Sequence, residues 1–544
     1  MMQKKYFLIL VLLICMFELS AQRDTSRPVS IDITSAYKPV LRNAVKINFS
    51  GTHVAQDTNR TVSPYNVPSQ HLFYAYQPIA LKPLALDQDT NLYLGTRHFV
   101  KAGFGSYSTP YLKAATSFGD GKTLMGNIYG DYISSKGKIE HQDYGIANIR
   151  GAGSYFFKEH EAYASAGFSN RTFHLYGYDH AIFSPEKKDV KQSFTEAEIR
   201  AGIKNTSPNR FGIKYDPNIG VNFFSLADRL TETSFLLKLP AEKTFSNSLT
   251  VKAELSADLT RYSTKNLSPD TSFSNNVVMI KPAIRYFQPR FFVNGGFSPA
   301  WDNGKLHWLP DIYFEAQLSE RLLMLQGGYI GRIHKNTVRN LSGVNPHLQP
   351  LSERFNTKET EFYGGIKATI GNHFNFSGKV SWLTYKNFAL FINDTSSVVG
   401  SFRVGNEEKI NNLRVHGNVS YIFQETLNLT AAFTLNGFTG PKTFNRAWNT
   451  VPMEIRGSAR WWMFKQLLIK GDIYTFAGGK YQLKEGGYDT TEGGTDLSLG
   501  AEYRINKQFG VWLDVNNILS DKYSRWPQYP VYGLNLLGGI IINF

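Results

Sequence analysis

The chain has 544 residues, with 59 Lys and Arg against 44 Asp and Glu, a formal charge of +15, and one cysteine. Aromatic residues reach 14% (39 Phe, 30 Tyr, 8 Trp), which excludes an intrinsically disordered chain. A mean hydropathy of −0.29, with no apolar stretch of helical-span length beyond the leader, excludes a bundle of membrane helices and leaves an aromatic-rich all-β protein.

Residues 1–21 read as a secretory signal. Lys4 and Lys5 precede an apolar run from Tyr6 to Phe17, and Leu19-Ser20-Ala21 forms a small-residue cleavage site, so the cut is expected between Ala21 and Gln22. Cys15 lies inside the apolar run behind Ile14, which is too large for a lipidation box, so the mature chain is expected to hold no thiol and no disulfide. Residues 22–95 carry Pro28, Pro39, Pro64, Pro68, Pro78 and Pro83 and few alternating runs, and proline removes ladder donors, so no strand-rich domain is expected there. Three readings stay open for this segment: a reduced plug folded into a lumen, a periplasmic strap that holds a protein partner, or a leader to the first strand.

Residues 96–544 alternate with period two in long segments. Val251, Ala253, Leu255, Ala257 and Leu259 share one face, while Lys252, Glu254, Ser256, Asp258 and Thr260 share the other. Leu413, Val415, Val419 and Tyr421 oppose Arg414, His416, Asn418 and Ser420, and Leu497, Leu499, Ala501, Tyr503 and Ile505 oppose Asp496, Ser498, Glu502 and Arg504. Such strands need one apolar and one wet environment. At about 10 to 15 residues they exceed the globular norm and suit a tilted bilayer crossing.

The connections alternate in length as well. Short turns stand at 119–122, 158–160, 288–290, 319–321, 371–372, 464–466 and 506–508, and long polar stretches at about 176–191, 335–357, 387–410, 478–491 and 518–531. Short turns on one side and long loops on the other predict an outer-membrane barrel. Aromatic clusters beside the short turns (Tyr155-Phe156-Phe157, Tyr286-Phe287 with Phe291-Phe292, Trp461-Trp462) read as an interfacial girdle. The expected fold is therefore a transmembrane antiparallel β-barrel of about 22 strands, within a range of 18 to 22, behind a short irregular N-terminal segment. Its expected lumen-facing charges are Lys252, Glu254, Asp258, Arg414, Lys470, Asp472, Glu502, Arg504 and Asp514, a mixture of signs without an ion preference.

The last stretch runs from Leu513 through Asn517-Ile518-Leu519 and Tyr523 to Trp526-Pro-Gln-Tyr-Pro530, then through Gly533 to a closing strand that ends in Phe544. This resembles the final hairpin of TonB-dependent receptor barrels, especially those of Bacteroidota, with Asn517, Tyr523, Gly533 and Phe544 at the matching positions. The match departs where the family often has Arg after the loop glycine, since Leu534 stands here. The resemblance implies an outer-membrane receptor, but the 74 residues between 22 and 95 fall short of the family's plug and hold no convincing plug motif; Val29–Ala36 is a TonB-box-like stretch only in the sense that any short β-branched run is. The chain thus looks like a plug-lacking relative.

No metal-ligand cluster, nucleophile elbow or phosphate loop is found, so no enzyme and no cofactor is expected. His174, His180, His334 and His347 read as solvated loop residues, and the pairs Glu159/Glu161 and Glu407/Glu408 as solvated charge. Basic residues are spread along the chain and form no nucleic-acid face. Expected partners are outer-membrane lipid, lipopolysaccharide, the barrel-assembly machinery for insertion, and a periplasmic or outer-membrane protein held through residues 22–95. The location is then the outer membrane of a Gram-negative cell. Passage or binding of solutes is the leading function. The alternative is a non-transporting barrel subunit of an envelope complex for barrel assembly, secretion or surface export.

Overall fold

The computed structural model describes residues 98–544, apart from Asp228, 265–271, 320–322, 352–354, Asn372 and Glu425. The signal cleavage site, the proline-containing segment and the Val29–Ala36 stretch lie outside the described residues.

Twenty-two strands pair antiparallel with their sequence neighbours, and the first, His98–Gly105, pairs with the last, Asn535–Asn543, which closes the ring. A twenty-third strand of the same sheet, Ile213–Tyr215, is a three-residue appendix on Leu230–Ser246. Closure leaves no edge strand in the ring, so every strand pairs with a neighbour on each side. At the seam the Phe544 amide donates to the His98 carbonyl at 3.0 Å, and the two rings stack with centroids 5.5 Å apart. Gly103 and Gly539 face each other across it, and a Cβ on Gly539 would run into the Ala102 carbonyl.

Period-two alternation maps directly onto the two faces. Along Leu249–Thr264, Val251, Ala253, Leu255 and Leu259 are exposed, whereas Ser256 and Thr260 on the opposite face are buried. The exposed set continues around the ring through Leu413, Phe433, Leu435, Leu499, Tyr503, Val511, Leu513 and Ile540. An apolar belt of this kind is costly in water and stable in hydrocarbon. The aromatic clusters beside the short turns split by the same rule: Tyr155, Phe157, Tyr286, Phe291 and Trp461 are exposed, while Phe292 is buried and stands edge-on to Tyr313. The turn before Leu124 is held by Asp120, whose carboxylate accepts from the Lys122, Thr123 and Leu124 amides at 2.7–2.9 Å; those bonds keep it well below the usual carboxylate range.

Three expectations need correction. The strands run from 8 to 22 residues, a wider spread than the alternation suggested. The asymmetry of connections is not strict, since 206–217 is long at the short-turn end and 303–304 is short at the other. The stretch read as a loop over 387–410 is mostly strand, because Phe374–Asn393 and Phe402–Phe423 continue to a connection of only 394–401. Alternation stops at Lys386 because 388–392 of the first arm are all buried, so Phe388-Ala-Leu-Phe-Ile392 reads as a continuous apolar run, while Arg403 and Glu408 on the second arm stay exposed.

Candidate functional site

The extended hairpin of residues 374–423 leaves the wall and reaches across the mouth at the long-loop end. Its tip meets the loop 175–190, whose base is tied off by the Leu175 amide donating to the Val190 carbonyl at 2.8 Å. A Cβ on Gly400 would strike the carbonyl of Gly177 in that loop, which lies ten strands around the ring of 22, almost opposite. The Tyr529 hydroxyl, from the loop 517–534, donates to the Val399 carbonyl at 3.3 Å beside the same tip.

Each face of the hairpin is covered by a different set of loops. On one face, Phe391 and Phe402 hold the Trp526 ring in edge-on contacts with centroids 5.2 and 5.3 Å away. The loop 336–355 packs against this face through a short helix, Val338–Val344, capped by the Thr337 hydroxyl, which accepts from the Asn340 amide. Val338, Leu341 and Val344 recur at every third residue and are buried in one cluster with Leu348, Phe402, Trp526, Tyr529 and Tyr532. The Arg339 guanidinium fixes the helix to the wall through Glu196 at 3.0 Å, and its backbone amide donates to Glu232 at 3.2 Å. On the other face, Leu390 and Ile392 pack with Phe444 and Trp448 of the loop 440–452. The loops thus build a hydrophobic core of their own across the mouth.

Several polar groups depart from the solvated reading of their residue types. His347 is buried, its ring lying on Tyr529 with centroids 3.6 Å apart and edge-on to Tyr176. Burial pushes its imidazole down to about 3. Glu407 is fully buried and accepts from the amides of Lys442, Thr443 and Phe444 at 2.7–2.9 Å. His174 is buried too, with Nδ1 2.9 Å from the Asp143 carbonyl. His334 stands on the strand Leu323–Lys335 and not in a loop, 3.4 Å from the buried Glu359, and Glu161 is paired with Lys204 at 2.8 Å. By contrast, His180 and Glu408 are in open positions, Glu408 facing Lys442 at 3.9 Å. Glu407 follows Phe402-Arg403-Val404-Gly405-Asn406, which carries no local sign of burial, because three of the amides that hold it come from the loop 440–452. His347 carries no sequence signal, because its burial is made by Tyr176 and Tyr529, far off in the chain.

Below the cap, the nine charges named from alternation engage as follows. Lys252 pairs with Glu242 at 3.1 Å, Glu254 with Lys281 at 2.8 Å, and Asp258 with Lys335, four strands around the ring. Lys470 bridges Glu502 at 2.8 Å and Asp514 at 3.2 Å, and Glu502 also receives Lys101 at 2.6 Å from three strands away. Asp472 accepts from Arg460 through both oxygens at 3.2 Å. Arg414 donates to Asn436 at 3.1 Å and to the Tyr385 hydroxyl at 2.9 Å, and Arg504 lies 4.5 Å over Trp462. Sequence reasoning passed over a further cluster, in which Arg332 reaches the buried Glu359 at 2.7 Å and Glu361 at 3.0 Å, with Lys379 on Glu361 at 2.6 Å. Contacts that skip several strands need side chains converging on the concave face of the sheet. Within each ion pair opposite charges offset one another, whereas Arg414 and Arg504 are held by amide, phenol and ring partners.

The four positions of the closing hairpin form its corner and its seam. Asn517, at φ +47°, donates through Nδ2 to the carbonyls of Asp521 and Tyr532 at 2.9 and 2.8 Å, a left-handed corner that Asn tolerates. Tyr523 is buried against Phe476 and donates to Asp496 at 3.1 Å. Gly533 lies where a Cβ would press on the Ser520 hydroxyl, and Phe544 closes the seam.

No family model matches the chain, and no curated protein matches it. Among solved structures, the chain is similar to the FrpB iron transporter from Neisseria meningitidis at 10% identity and a TM-score of 0.62, over 82% of this chain and 81% of that one. It is similar to the siderophore receptor PirA from Acinetobacter baumannii at 12% identity and a TM-score of 0.62, over 82% and 80%. The ferripyoverdine receptor of the outer membrane of Pseudomonas aeruginosa matches at 10% identity and a TM-score of 0.59, over 82% and 72%. At such identities the likeness is one of fold: a closed 22-strand barrel.

Proposed function

We propose that this chain is an outer-membrane barrel for passage or binding of solutes, working in the manner of TonB-dependent receptors, with a mouth gated by its own loops. The observation that carries the reading is the hairpin 374–423 laid across the mouth of a closed ring that has an exposed apolar belt. The belt suits a bilayer, the long-loop end faces outward in such barrels, and a ring of 22 strands encloses a lumen wide enough to need closing. Three solved structures of similar fold are, by their descriptions, an iron transporter, a siderophore receptor and a ferripyoverdine receptor, which favours uptake over catalysis. Among the described residues no group of three or more His, Cys, Asp or Glu is arranged to hold a metal.

The finer assignments belong to the same proposal: export with cleavage after Ala21, a Bacteroidota-type closing hairpin, a reduced plug or strap in residues 22–95, and insertion by the barrel-assembly machinery. The nine charges named above then line the lumen. A second reading is favoured by one feature, the apolar core of the cap. A core of that kind resembles a domain interior more than a mobile gate, and it suits a scaffold subunit of an envelope complex.

Conductance across a planar bilayer tests the choice. The protein from Gln22 onward is expected to be silent. Replacing residues 394–401 by a two-residue turn and removing 22–95 is expected to open a wide pore. A folded barrel that stays silent after both changes sinks the passage reading and leaves the scaffold.

A further inference from the structure

A groove of about 660 Å³ lies on the hairpin face opposite the Trp526 cluster, and Arg403, Asn445, Arg446, Trp448, Gln482 and Tyr488 are among the residues that line it. Its cations differ from Arg332, Lys335 and Lys470 on the wall, each of which meets a carboxylate. Arg403, Arg446 and the neighbouring Lys480 have no carboxylate within salt-bridge distance among the described residues. The Arg446 guanidinium lies 3.6 Å over the Tyr488 ring, and Lys480 approaches the same ring at 5.3 Å. Nearby acids are engaged elsewhere: Glu407 by four amides, Glu408 by Lys442, and Asp489 by the Tyr481 hydroxyl and the Thr490 amide.

We infer that this groove binds a phosphorylated saccharide. Two guanidiniums without acidic partners, one of them stacked on Tyr488, offer forked donors suited to phosphate oxygens. Asn445, Gln482 and the Thr443 hydroxyl supply amide and hydroxyl groups for sugar hydroxyls, and Phe444 and Trp448 form an apolar wall. A bare anion would leave most of the volume empty, whereas a phosphosugar falls within the usual size of small-ligand sites. Glu407 ties the 442–444 backbone into the shape that presents these groups. The same chemistry exists in a free sugar phosphate and in the phosphorylated sugars of lipopolysaccharide. The inference rests on the preceding reading only in taking the long-loop end as the outer one.

Calorimetric titration of the detergent-folded full chain separates these sources. Glucose 6-phosphate is expected to bind and glucose not, with affinity falling as salt rises. Arg403→Ala and Arg446→Ala are each expected to weaken binding about tenfold, and Arg403→Lys less, since the charge remains but the fork is lost. If only intact lipopolysaccharide binds, and its dephosphorylated form does not, the lipid source is the ligand. Failure of both probes, or binding unchanged by both alanine substitutions in barrels of normal gel mobility, overturns the site. Neither result bears on the conductance experiment.

Discussion

The imidazole of His347 lies flat on the phenol of Tyr529, with planes 18° apart and centroids 3.6 Å apart, and so joins the 336–355 loop to the 517–534 loop at the centre of the cap. An opened cap would expose His347 to water, where it titrates near its ordinary value, while the closed cap takes its proton only near about 3. Below the ordinary value the open form therefore gains a proton that the closed form refuses, so acid favours opening. At pH 5 the bias is about 2 kcal/mol, and it is absent at about pH 8. Protease cleavage within 336–355 should rise as the pH falls below about 6, and His347→Phe should flatten that response. An unchanged profile in the variant would remove His347 from the cause.

Glu407 presents a second prediction. One oxygen accepts from the amides of Lys442, Thr443 and Lys409 and the other from that of Phe444. Glu407→Gln turns one acceptor into a donor facing a backbone amide, at a cost of about 2 kcal/mol. Hydrogen exchange at 442–444 should accelerate while the barrel strands stay protected. Equal protection in both proteins would contradict the role.

Trp526 tests the cap as a whole. Trp526→Ala leaves a void between Phe391 and Phe402 and costs about 3–5 kcal/mol of cap stability. The barrel ring does not depend on it, so heat-modified gel mobility should be normal and single-channel openings should appear more often than in the unaltered protein. A collapse of the folded mobility would instead place Trp526 in the stability of the ring.

The seam makes a fourth prediction. Gly539 faces Gly103 with no room for a side chain against the Ala102 carbonyl, so Gly539→Val should prevent the last strand from pairing with the first. The variant is expected to fail the folded-mobility shift, whereas Gly364→Ala, at a position open to space, should pass it. A normal shift for Gly539→Val would mean that the seam can move aside.

The exposed apolar pattern was readable because it repeats every second residue and each strand shows it alone. Strand number and the short-turn positions follow from that local signal. The cap was not readable for the same reason. Beyond Lys386 the first hairpin arm is covered on both faces, the alternation vanishes, and Phe388–Ile392 looks like the middle of a loop next to polar residues. Arg403 and Arg446 belong to different segments, and only the packing of 440–452 on the hairpin places both at one groove.

By itself, then, the sequence determined the closed antiparallel barrel and its apolar outer face, because a two-residue period needs no knowledge of distant contacts. Only the tertiary structure decided that Gly400 reaches Gly177 across the mouth, that His347 and Glu407 are buried, and that Arg403 and Arg446 share a groove. Those depend on loops from far-apart strands meeting above the ring, and nothing local in the chain records where a loop will land.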